Sequence, residues 1–136
     1  MTYEEIMQLE AGEEMYTLIA REVMGFEFID APRGYRPYWK GIHNGILVEL
    51  EVDAYFPSHE IFDAWHVIEK MRSDGHEVYI STTYGGWDCT IAHDNGEPEE
   101  NHRVTMLGTA HEDTVPLAIC RAALLAVLHL AGRVAR

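Results

Sequence analysis

The stretch His76-Glu77-Val78-Tyr79-Ile80-Ser81-Thr82-Thr83-Tyr84-Gly85-Gly86-Trp87-Asp88-Cys89-Thr90-Ile91-Ala92-His93 decides the fold. Two runs rich in β-branched and aromatic residues flank a glycine pair, and tight two-residue hairpin turns require positive φ. The sequence therefore predicts strands over 76–84 and 87–93 joined by Gly85-Gly86. A third strand is expected over 103–110, after a stretch (94–102) whose Gly96, Pro98 and three glutamates read as a mobile loop.

Helices flank this unit. Upstream, Ser58-His59-Glu60-Ile61 reads as a helix start, and Asp74-Gly75 as the stop of a helix ending near Ser73. On a helical wheel Ile61, Ala64, Trp65, Ile68 and Met71 share a packing face, and His59, Asp63, His66 and Lys70 share a wet one. Downstream, Asp113 or Thr114 caps a helix with Pro116 in its first turn; 117–130 is apolar on almost every side and must lie between layers. Its apolar run contains Arg121 and His129 and is shorter than the ~20 residues that cross a bilayer.

Before this unit, Thr2 and Glu5 form a capping-box pattern, and Met15, Leu18, Ile19 and Val23 repeat at helical spacing up to Gly25. Residues 26–45 hold Pro32, Gly34, Pro37, Gly41, Asn44 and Gly45 and read as one long loop. Ile46, Val48, Leu50 and Val52 then alternate with Leu47, Glu49, Glu51 and Asp53, a strand with one wet face. The expected fold class is α+β: an antiparallel sheet of three to four strands packed between helices, with an α-β-β-β-α core after an N-terminal helix and a long loop. The 136 residues fit a single domain, 1–136.

Composition is ordinary, at 47% hydrophobic and 24% charged, but charge is not: 10 Lys plus Arg against 23 Asp plus Glu give a net −13. Such a field repels phosphate backbones and anionic membranes, so neither direct nucleic-acid nor membrane binding is expected. The α-β-β-β-α order is also that of double-stranded-RNA-binding domains. Those place lysines at the start of the last helix, where this chain has His111-Glu112-Asp113-Thr114-Val115-Pro116. The N-terminus lacks the basic and apolar regions of a secretory signal, which predicts a cytosolic, cytoplasmic location. There the two cysteines, Cys89 and Cys120, are expected as buried thiols.

Glu10-Ala11-Gly12-Glu13-Glu14 with Val23-Met24-Gly25-Phe26, the helix from Phe62 through Asp63-Ala64-Trp65-His66-Val67-Ile68-Glu69-Lys70 to Met71, and the tail Pro116-Leu117-Ala118-Ile119-Cys120-Arg121-Ala122-Ala123-Leu124-Leu125-Ala126 resemble the phage ABA sandwich domain family. The resemblance implies a phage or prophage protein with a sheet between helical layers and no established general activity. It carries over no catalytic residue.

The residues themselves hold no catalytic signature. There is no nucleophile elbow, no phosphate-cradling loop and no His-Glu-x-x-His, so neither catalysis nor a cofactor is expected. His59, Asp63 and His66 share a helix face on which zinc or nickel is conceivable, but Lys70 shares it too, and no metal is expected. The segment running Arg33-Gly34-Tyr35-Arg36-Pro37-Tyr38-Trp39-Lys40 stands apart, with three of the ten cations and three aromatics in eight residues. Arg33, Tyr35, Arg36, Tyr38, Trp39 and Lys40 are thus the candidate ligand-binding residues, suited to stacking on a base and pairing with phosphate. The competing reading is that Tyr38 and Trp39 cover the sheet while the cations neutralise nearby acids.

Two functions follow as expectations. The first is a non-catalytic counter-defence protein that sequesters a small nucleotide-derived immune signal. The alternative is an acidic inhibitor that presents carboxylates, among them Glu49, Glu51, Asp53, Glu97, Glu99 and Glu100, to a basic host protein in place of nucleic acid. The apolar last helix further predicts a homo-oligomer, most simply a twofold dimer.

Overall fold

Thr2 caps the first helix α1 (Tyr3–Gln8): its hydroxyl accepts from the Glu5 amide at 3.1 Å, and the Glu5 carboxylate accepts from the Thr2 amide at 2.8 Å. These distances come from a computed structural model, in which residues 1–30 and 36–132 are described. Helix α2 (Glu13–Leu18) runs on into a single π-helical turn, Ile19–Val23, and Met15, Ile19, Ala20 and Val23 form its buried stripe. Among the described residues no helix is long and apolar enough to cross a membrane.

The stretch read as one long loop contains two strands. β1 (Glu27–Ile29), β2 (Tyr38–His43) and β3 (Ile46–Glu51) form an antiparallel sheet in that order. Asn44 (φ 52°) and Gly45 (φ 77°) make the β2–β3 turn, as Asn-Gly pairs do in tight hairpins. Gly41 belongs inside β2 because the ring of Phe26 occupies the place of its side chain: a Cβ there would lie 2.4 Å from Phe26 Cδ1.

Helix α3 (Ile61–Ser73) starts three residues beyond Ser58, with Glu60 as N-cap. Its buried face is Ala64, Val67, Ile68 and Met71, while Ile61 and Trp65 are each 53% exposed. The packing stripe is thus turned towards Val67, because α3 rests on the last helix and the π turn. The supposedly wet Asp63, His66 and Lys70 are half-buried.

The second sheet, β4 (Glu77–Thr83), β5 (Gly86–Asp94) and β6 (Val104–Glu112), is antiparallel in chain order. The expected hairpin forms, with its turn one residue earlier than the glycine pair: Tyr84 (φ 51°) and Gly85 (φ 77°) occupy it, and Gly86 pairs with Thr83. The β5–β6 connection, read as mobile, is cross-tied. Asp94 accepts from the Gly96 amide at 2.8 Å, and Asn95 Oδ1 accepts from the amides of Glu97 and Arg103 at 3.1 and 3.0 Å.

Helix α4 (Val115–Leu130) is capped by Thr114 and carries Pro116 in its first turn. It packs on β5 and β6 on one side and on α1, the π turn and α3 on the other, so its all-round apolarity is satisfied within the chain. One continuous core joins it to Phe26, Trp39 and Tyr55 beneath the β1–β3 sheet. The architecture is α+β, with two three-stranded antiparallel sheets and four α-helices among the described residues.

Candidate functional site

Strand parity sorts the cationic and aromatic segment onto different surfaces. Arg33 and Tyr35 lie outside the described residues. Arg36 is exposed, with Nη1 3.6 Å from Asp53 Oδ2, a solvated pair of little energetic weight. Tyr38 and Lys40 point to the outer face of the β1–β3 sheet, where Lys40 stands between Glu27 and Glu49 on the neighbouring strands. Trp39 points inward and is 2% exposed. Its ring meets Phe28 edge-on at 5.5 Å, and the guanidinium of Arg21 sits 5.6 Å from its centre. The cation over this aromatic thus comes from the π turn, not from its own segment.

The inner face of the same sheet and α3 enclose a cleft of about 240 Å³. Met24, Phe26, Val48, Leu50 and Tyr55 give it apolar walls, and His43, Asn44, His66 and Glu69 give it a polar rim. Tyr55 is 1% exposed, and its hydroxyl has no partner among the described residues. Burial pushes that phenol well above the ordinary tyrosine range, so it stays protonated.

The rim is built by two elements. The Asn44-Gly45 turn carries His43 and Asn44 over α3, which presents His66 and Glu69 three residues apart on one face. His43 Nε2 lies 3.4 Å from Glu69 Oε2, the rings of His43 and His66 are 5.1 Å apart, and the Asn44 amide donates to Glu69. One donor atom from each of His43, His66 and Glu69 lies within 4.8 Å of the other two.

This is a different set from the one on the helical wheel. His59 is engaged by the Tyr16 hydroxyl, and Asp63 accepts from the Phe56 amide at 2.9 Å, so His66 alone of that trio reaches the cleft. The sequence signal for the real grouping is His66-x-x-Glu69, common on any helix, and its complement His43 is 23 residues away.

An antiparallel sheet and helices enclosing a small cleft with an apolar floor and a polar rim define an α+β sandwich. The model of the phage ABA sandwich domain family matches residues 17–124, and the chain belongs to that family. No curated protein and no solved structure matches the chain.

Proposed function

We propose that the protein acts by binding, without catalysis, as a phage counter-defence factor in the host cytosol, and that it holds a basic host protein on the acidic outer face of the β1–β3 sheet. The observation that carries this reading is the cross-strand arrangement of that face. Exposed Glu27 and Glu49 flank Lys40, exposed Glu51 stands opposite Tyr38, and Ile42 and Leu47, 60% and 55% exposed, adjoin them near the turn. Carboxylates around exposed apolar side chains suit a basic partner with an apolar centre, and the net −13 charge steers it inward. Twofold self-association belongs to the same proposal, resting on exposed Phe62 and Trp65 of α3 in place of the covered α4.

A second reading, sequestration of a nucleotide-derived signal, is favoured by the cleft and its unpartnered Tyr55 hydroxyl. At about 240 Å³ it is smaller than the ~300–1,000 Å³ of typical small-molecule sites and takes a ring-sized group. Arg36 precedes β2 by two residues and His43 closes it, so at ~3.3 Å per residue the strand alone puts about 17 Å between its ends, and one mononucleotide does not engage both.

Native mass spectrometry of the protein from infected, defended cells separates the two. The expected result is a co-purified basic protein whose association weakens with salt and is lost in Glu27→Gln/Glu49→Gln/Glu51→Gln at unchanged melting temperature. A co-purified nucleotide, or a triple variant that still holds the protein, removes the acidic-face reading.

A further inference from the structure

A histidine beside a glutamate is ordinarily a plain ion pair, and His43 with Glu69 would pass as one. What that account leaves over is His66. Its ring stands 5.1 Å from that of His43, tilted by 55°, on the same side as the Glu69 carboxylate. Two imidazoles and a carboxylate thus hold donor atoms within 4.8 Å of one another at the mouth of a cleft.

We propose that His43, His66 and Glu69 form a binding site for one divalent transition-metal ion of the zinc class, which clips the β2–β3 hairpin to α3. A tetrahedral ion with bonds of ~2.0–2.2 Å holds its ligand atoms about 3.3–3.6 Å from one another. The three donors lie within 4.8 Å, and His43 Nε2 and Glu69 Oε2 are already 3.4 Å apart, so side-chain rotation of about 1 Å closes the set.

Neighbours orient two of the ligands. The Asn44 amide donates to Glu69, and Phe62 meets the His66 ring edge-on at 5.3 Å. Two nitrogens and one oxygen match zinc, cobalt or nickel and leave magnesium and calcium, which want all-oxygen shells, poorly served. The same three residues also line the cleft. The inference does not depend on the acidic outer face.

The test uses the full chain, free of any histidine tag and stripped with chelator. It is titrated with Zn²⁺ by calorimetry and with Co²⁺ by visible absorption. The expected outcome is one ion per chain, an intense four- or five-coordinate Co²⁺ spectrum, and a melting temperature that rises with Zn²⁺ and not with Mg²⁺. His66→Gln and Glu69→Gln should each weaken Zn²⁺ binding by at least ~10-fold, while His102→Gln, on the β5–β6 connection, leaves it unchanged. Weak hydrated-ion absorption from the wild-type chain overturns the site whatever the variants' stability, and so does an equal loss in His102→Gln.

Discussion

Arg121 Nε lies 2.8 Å from Glu112 Oε1, an ion pair off the hydrogen-bond axis, in a residue only 4% exposed. The rest of the guanidinium faces the end of α1, where Nη1 donates to Ile6 O at 2.9 Å and to Met7 O, and Nη2 donates to Leu9 O at 2.6 Å. One cation inside an apolar helix thus partners the Met7 and Leu9 carbonyls at the end of α1, shares Ile6 O with the Leu9 amide, and joins α4, β6 and the N-terminus. Arg121→Ala should cost about 3–5 kcal/mol, because it strands Glu112 and these carbonyls together. Arg121→Lys should recover little of this, since an ammonium cannot reproduce the planar fork. Urea unfolding measures both, and a wild-type midpoint for either variant would contradict the bolt.

Gly108 predicts a steric effect of a different kind. A Cβ there would sit 2.2 Å from Ala122 O and 2.7 Å from Ala126 N, both backbone atoms of α4 that no rotamer change can move. At Gly86 the nearest obstacle is the His111 ring at 2.6 Å, a side chain able to swing outward. Gly108→Ala should therefore destabilise by ~1–3 kcal/mol or more, and Gly86→Ala by less. The order of the two melting temperatures checks it.

The parts legible in the sequence are those fixed by local chemistry. Thr2 with Glu5, Thr114 with Pro116, and the hairpin marked by Gly85-Gly86, whose turn falls one residue earlier at Tyr84-Gly85, each act within a few residues. The alternation from Ile46 does mark β3, but β1 and β2 are hidden because Pro37 and Gly41 read as loop punctuation, whereas Gly41 is in a strand for the sake of Phe26, a non-local partner. Without β2 the parity of Trp39 and Lys40 had no meaning, so a buried tryptophan and an exposed lysine looked like one binding surface. The cleft rim was unreadable for the same reason: His43 meets His66 and Glu69 only once the β2–β3 hairpin exists. Arg121 does interrupt an apolar run, but its partners at the end of α1 lie more than a hundred residues away.

The two thiols should be silent in the native protein. Cys89 and Cys120 are free and fully buried; burial pushes Cys89 up to about 12, and burial with the neighbouring Cys89 raises Cys120 as well. Almost no thiolate is then present at neutral pH to attack an alkylating reagent. Iodoacetamide should leave the folded chain unmodified over a time in which the urea-unfolded chain takes up two labels. Rapid native labelling at Cys89 would mean that the β5–α4 contact opens readily.

Acid should remove stability through two carboxylates on the second sheet. Hydrogen bonds from Thr83 and then His111 hold Asp88 below the ordinary carboxylate range, and the Gly96 amide followed by His102 does the same for Asp94. A carboxylate that is more acidic when folded adds stability above its unfolded pKa of ~3.9, and that contribution fades as pH falls through the lower native value. The wild-type melting temperature should therefore decline below about pH 4. Asp88→Asn and Asp94→Asn, which carry no titrating carboxyl, should melt lower than wild type near pH 6 and converge on it as pH falls through the lowered native value, each by a small margin because both sites meet solvent. Melting curves across that range check the sign: a gap that stays constant with pH would mean that the substitutions act through lost hydrogen-bond geometry and not through charge.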